Sequence, residues 1–277
     1  VITLLRRVTA ACALSAALTA CGTTHPPQAD PPPVPAPPPR PPTLAPGPAG
    51  LTPVFEHGPR TRGRTVALTF DADMTAGQGA RAAAGERFDH PRLISTLRAL
   101  KVRATVFMTG RWALEYPDQA RSIGRDPLFE VANHSYSHYA YTPDCYGLPT
   151  VPEERRRSDV ERAYAALRKA GVRDPLPYFR FPGGCYDRRA LKALAPTGVT
   201  AVQWDVVGGD AFETDPDVVA RQVLDGVRPG SVVVLHCTRS AAPATERAVR
   251  TIVPELRRRG FRFVKVSDLL ATVGSRP

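Results

Sequence analysis

The sequence predicts an α/β fold whose mainly parallel strands curl into a barrel, and two observations carry that expectation. Short apolar runs alternate with longer helix-like stretches from about Arg64 onward, the pattern of repeated β-α units that builds a parallel sheet. Side chains suited to chemistry follow five of those runs, and parallel α/β enzymes place their sites at C-terminal strand ends. An open doubly wound sheet fits the alternation equally well, but convergence from five separate strands favours a barrel.

Taken in order along the chain, Arg6 and Arg7 precede an uncharged run from Val8 to Ala20. That run is too short to cross a ~30 Å hydrocarbon core and reads as a secretion signal. It closes on Leu18-Thr19-Ala20-Cys21-Gly22, which resembles the lipobox of bacterial lipoproteins. Residues 1–20 are therefore expected to be a signal peptide, with Cys21 lipidated and tethering the protein to the outer face of the cell membrane; a plain secretory signal or a short uncleaved anchor is the simpler alternative. Thirteen of the 30 prolines lie between Pro26 and Pro48, a density at which neither helix nor sheet ladder forms. Residues 22–60 are expected to be a disordered, semi-rigid spacer, and residues 61–277 the catalytic domain.

In that domain Arg64 to Phe70, Arg103 to Met108, Leu128 to Ala132, Tyr178 to Phe181, Val199 to Trp204, Ser231 to Leu235 and Phe261 to Val264 read as buried strands. Pro91 to Leu100, Glu153 to Ala170, Pro216 to Val227 and Ala244 to Arg259 read as helices. A hydrophobic fraction of 43% with 23% charged residues excludes wholesale disorder and a polytopic membrane protein. The net charge of +11 favours anionic partners without naming one. No aromatic-interleaved basic patch or zinc-finger spacing points to nucleic acid. The runs Arg155-Arg156-Arg157 and Arg257-Arg258-Arg259 are expected on solvated helix faces, with anionic wall polymers or headgroups as the functional alternative. No G-x-S-x-G occurs, which disfavours acyl-enzyme chemistry. Of the five cysteines, Cys145, Cys185 and Cys237 lie outside the expected leader; one disulfide and one free thiol is the simplest arithmetic. Cys145 with Cys185 is the expected pair, because each follows a motif expected at the same site.

The residues at strand ends suggest the chemistry. His134 and His138 are four positions apart, which on one helical turn puts both imidazoles on one face, able to bind one metal; aromatic neighbours Tyr136 and Tyr139 allow a packed loop instead. Asp71 and Asp73 follow the first strand. Two carboxylates so close repel unless a cation or an arginine offsets them, and two His with one Asp is a recurring catalytic zinc set. The second carboxylate is then free to act as a base.

Taken together, Thr69-Phe70-Asp71-Ala72-Asp73, His134-Ser135-Tyr136-Ser137-His138, Arg180-Phe181-Pro182-Gly183-Gly184, Trp204 to Asp210 and Leu235-His236 resemble, in order, the five motifs of the polysaccharide deacetylase family, or NodB-homology domain. The resemblance implies a distorted (β/α) barrel and a divalent metal, most often zinc, with cobalt, manganese and nickel as alternatives. It implies hydrolysis of N-acetyl groups on the amino sugars of peptidoglycan or a chitin-like glycan, or of O-acetyl groups on other glycans, by a monomer. By position, Asp71 becomes the general base, Arg180 its ion-pair partner, and His134 and His138 metal ligands. His236 becomes the general acid, oriented by Asp210 with Asp205 as rival, and Gly183 and Leu235 mark the oxyanion and substrate-binding positions. The chain departs from the pattern at Ala72, where the family has its metal-binding aspartate; Asp73, one place later, is expected to take that role. The same departure motivates a catalytically weak glycan-binding protein as an alternative.

Overall fold

The computed structural model describes residues 40–274; the expected signal segment, Cys21 and the spacer up to residue 39 lie outside the described residues. Strands β1 (Val54–Phe55), β2 (Thr65–Ala72), β3 (Ala104–Met108), β4 (Phe129–Asn133), β5 (Tyr178–Phe179), β6 (Thr200–Val202), β7 (Val206–Val207), β8 (Ser231–His236) and β9 (Arg262–Phe263) form one sheet. Its order is β1-β6-β5-β4-β3-β2-β8-β7, with β9 beside the start of β2, and every strand pair is parallel. The sheet curls into a distorted barrel that is not closed by strand pairing between β1 and β7. An isolated antiparallel bridge between His57 and Ser231 ties the segment after β1 to the start of β8 instead.

Alternation along the strands sorts the core into two layers. Val66, Leu68, Phe70 and Ala72 of β2 face outward into the larger cluster, with Val233 and Leu235 of β8. Ala67, Phe107, Ala132, Val202 and Val232 face inward and fill the barrel together with Phe55 and Tyr178. Successive strand residues point to opposite faces, so Asp71 shares the inward parity of Ala67 and caps the filled interior.

The helices α2 (Pro91–Ala99), α5 (Arg156–Lys169), α7 (Pro216–Gly226) and α8 (Thr245–Arg258) stand within a few residues of their expected places. Helix α8 buries Ala248, Val249, Ile252, Val253 and Leu256, the stripe that a helical period produces. Five more, α1 (Gln78–Ala83), α3 (Gly110–Glu115), α4 (Pro117–Gly124), α6 (Arg188–Leu194) and α9 (Val266–Gly274), were not anticipated from the sequence. Local signals start some of them: Thr109 and Asp187 cap α3 and α6 by accepting from Trp112 N and Ala190 N.

Three expectations are corrected. Residues 40–60 are not part of a spacer: β1 pairs with β6, Leu44 N–H donates to Thr200 Oγ1 at 3.0 Å, and Tyr178 Oη donates to the Pro42 carbonyl at 2.8 Å. Proline density misled there because Pro lacks a donor but keeps its carbonyl, and the non-proline residues supply the donors. The His134–His138 segment is not a helical turn but an irregular loop after β4, with Ser135 and His138 at φ 72° and 56°. Arg156 does not lie on a solvated face: it is buried, 3.9 Å from Glu153.

Candidate active site

The site stands where β2, β4 and β8 end. Asp71 and Asp73 lie two apart at the end of β2, so the pleat sends both carboxylates to one side and Ala72 into the outer core between them. The departure from the family pattern thus keeps both carboxylates on the inner side. Asp71 Oδ1 accepts from Arg180 Nη1 at 2.7 Å, and the pair is almost fully buried. Burial opposes the charge on Asp71, but the Arg180 guanidinium, with His134 and His236, holds its carboxyl below the usual range. Among the described residues no arginine pairs with Asp73. Burial and the neighbouring Asp71 push its carboxyl upward against His236, His134 and the Thr238 hydroxyl, which donates to Asp73 Oδ2 at 3.2 Å.

Arg180 is itself fixed by acceptors: its Nε and Nη2 donate to the carbonyls of Val202 and Gln203, and its guanidinium carbon lies 4.0 Å from the Phe107 ring centre. Its own carbonyl then fixes His134. His134 Nδ1 lies 3.0 Å from the Arg180 carbonyl and must donate to it. In the neutral ring Nε2 is left as a bare lone pair, 3.5 Å from Asp71 Oδ2.

The loop geometry supplies the second imidazole. Asn133 Oδ1 accepts from Ser135 N and Ser135 Oγ accepts from His138 N, and the two left-handed residues fold the loop back. The rings of His134 and His138 come within 5.1 Å, tilted by 58°. Burial lowers both pKa values to about 4, so both rings are neutral near pH 7.

Among the described residues no group of three or more His, Cys, Asp and Glu side chains is arranged to hold a metal ion, yet the paired imidazoles of His134 and His138 are donors that suit a divalent cation. That match rests on chemistry: two neutral imidazoles side by side, one of them oriented by a carbonyl as metal-bound histidines are.

Across the site, His236 ends β8. Its Nδ1 lies 2.9 Å from Asp210 Oδ1, its backbone N–H donates to Asp210 Oδ2 at 2.7 Å, and Thr245 Oγ1 donates to the same oxygen at 2.5 Å. Burial works against the imidazolium, yet Asp210, with Asp71 and Asp73 behind it, raises the His236 pKa to about 9. Asp205 is no rival: it bonds Arg60, Ser231 and the Val232 N–H near the start of β8, the opposite end of the strand from His236. Leu235 is also corrected as a substrate contact, since its side chain is fully buried in the outer cluster; alternation turns it away from the face that His236 occupies.

Gly183 adopts φ 65° in the turn after Arg180, and a Cβ there would come within 2.6 Å of Cys145 Sγ. That sulfur is bonded to Cys185, as the sequence suggested, and Cys237 is a buried free thiol. Sequence reasoning missed three supporting residues: Asn133, Thr238 and Thr245. Thr238 was within reach, because it stands two positions beyond His236; Thr245 follows a loop and carried no signal.

Residues 58–202 match the family model described as polysaccharide deacetylase. A chitooligosaccharide deacetylase of Bradyrhizobium is 29% identical over 217 residues, covering 74% of this chain and 90% of the relative. A peptidoglycan-N-acetylglucosamine deacetylase of Bacillus cereus is 28% identical over 183 residues, 65% of this chain and 81% of the relative. The solved structure of the Bc1960 peptidoglycan N-acetylglucosamine deacetylase superposes with a TM-score of 0.66 at 25% identity, over 81% of this chain and 96% of its own. With the motif residues gathered at one end of a parallel barrel and the family model matching over half its length, the chain belongs to the polysaccharide deacetylase family.

Proposed function

We propose that the protein removes N-acetyl groups from the amino sugars of a cell-envelope or extracellular polysaccharide, peptidoglycan or a chitin-like glycan, using a divalent metal ion, zinc. The observation that carries this reading is the division of labour between two ion pairs, one almost fully buried and one at the mouth of the site. Arg180 keeps Asp71 ionised as a base, while Asp210 keeps His236 charged as an acid, and the two stand on adjacent strands in register, Asp71 beside His236. Titrating groups pushed apart in this way mark acid and base roles.

Asp73, His134 and His138 would hold the ion, which when bound supplies Lewis-acid polarisation of the acetyl carbonyl. Asp71 takes the proton from the attacking water. The Gly183 backbone N–H donates to the oxygen that becomes negative. His236 then delivers its proton to the departing amine, with Asp210 and Thr245 preventing the ring from turning away.

The protein acts outside the cytoplasm as a monomer, tethered through a lipid at Cys21 after loss of residues 1–20. The Cys145–Cys185 disulfide supports an oxidising compartment, and the proline-rich stretch ahead of residue 40 suits a spacer reaching into the wall.

The test is acetate release by the full chain from penta-N-acetylchitopentaose and from an O-acetylated xylan, with metal analysis of the purified protein. Release from the first, abolished by a chelator and restored by zinc, supports the reading. Release from the xylan alone assigns an esterase, and no release with any added divalent ion assigns a glycan-binding protein.

A further inference from the structure

Two rings stand out on the surface. Among the described residues Tyr146, 73% exposed, and Phe212, 81% exposed, are the most exposed of the large apolar side chains, and they lie against each other with centroids 5.9 Å apart. Tyr146 belongs to the loop that follows the His134–His138 segment, and Phe212 stands two residues beyond Asp210. Both therefore border the site.

The chain holds Tyr146 there against resistance. Its backbone is left-handed at φ 50°, as is that of Asp144 at 56°, a region that bulky residues seldom enter and that clusters at functional sites. The neighbouring Cys145 is bonded to Cys185, and Leu148 N–H closes the turn on the Cys145 carbonyl at 2.9 Å. Gly183 completes the seat, since a Cβ on it would come within 3.3 Å of Tyr146 Cδ2. A disulfide, a strained turn and a glycine thus display a ring that is mostly in water.

We propose that Tyr146 and Phe212 form an aromatic clamp that stacks on a pyranose ring of the glycan beside the sugar being deacetylated, with the disulfide as its positioning device. This inference rests on the deacetylase reading above. One face of a pyranose is lined with C–H groups and its rim with hydroxyls, which suits an aromatic face presented in water. Tyrosine and phenylalanine have few rotatable bonds and lose little freedom on binding. The Tyr146 ring lies next to the Gly183 position and Phe212 lies against it, two residues beyond Asp210, which places the pair for a neighbouring sugar rather than the reacting acetyl group.

The experiment compares kcat and KM for acetate release from penta-N-acetylchitopentaose and from the monosaccharide N-acetylglucosamine, which has no neighbouring sugar. Tyr146→Ala and Phe212→Ala are each expected to raise KM for the pentasaccharide about 10-fold, the equivalent of one weak stacking contact, with kcat held within about twofold. Tyr146→Phe is expected to behave as wild type, and the monosaccharide to be unaffected by any of the variants. An unchanged KM in both alanine variants, or an equal rise for both substrates, overturns the clamp. Cys185→Ser, or the folded protein treated with a thiol reductant should that variant not fold, is expected to show the same rise; a wild-type KM after loss of the disulfide overturns the positioning role. No acetate release by the wild type overturns the deacetylase reading alone. Calorimetric binding of the pentasaccharide then decides the clamp, which stands if Tyr146→Ala binds about 10-fold more weakly and falls if the affinities are equal.

Discussion

Asp71 and His236 occupy neighbouring strands yet are driven to opposite charges, and each depends on one partner. Replacing Asp71 by Asn keeps the shape, removes the base, and leaves Arg180 buried without its counter-ion. Acetate release is expected to fall by about 10³-fold, within the range ascribed to a positioned base, and the thermal midpoint to drop as well. For His236 the sign follows from its raised pKa of about 9. Its interaction with Asp210 contributes stability that is fully present below the unfolded value near 6.5 and is lost as pH rises through 9. The acid form is lost over the same interval, so activity declines on the alkaline side. Asp210→Asn is expected to move the alkaline limb of the kcat profile to lower pH by about one unit or more, and an unmoved limb in a pH-rate series refutes the assignment.

A two-residue period decides which carboxylates can meet at the top of β2. Exchanging the positions in the double variant Ala72→Asp, Asp73→Ala restores the family spelling but sends the carboxylate into the cluster of Phe70 and Met74. In the present backbone that buries an unpaired charge, and stability measured by denaturant titration is expected to fall by about 3 kcal/mol or more. Retention of stability would mean that the strand end can rebuild as in the relatives. The same period explains what was legible beforehand. Seven apolar runs located seven of the strands; Asp71, His134 and His236 were visible because each follows a run, and Arg180 because it is the one charge inside its run. Val206–Val207 of β7 and Val54–Phe55 of β1 were too short to register. The fold of the His134–His138 loop was not legible either, because left-handed residues other than glycine carry no mark in a sequence. Asp205 and Asp210 were separable only once their strand ends were known.

At the scale of the whole molecule, the boundary at residue 61 suggested by proline content cuts through the sheet. A chain beginning at residue 61 lacks β1 and uncovers the edge of β6, along with Phe55 of the inner core. It is expected to aggregate or to melt well below a chain beginning at residue 40, which differential scanning calorimetry of the two proteins distinguishes. Equal melting temperatures would show residues 40–60 to be dispensable.

The placement of β1 also has a mechanical side. The chain enters the folded body through Pro42, Leu44 and a two-residue strand at the far edge of the sheet, well before it reaches the strand that bears Asp71. Tension applied at the amino end is taken up first by those few hydrogen bonds. They act as a fuse: under load the margin peels away from β6 while the catalytic strand, clamped between β3 and β8, keeps its register.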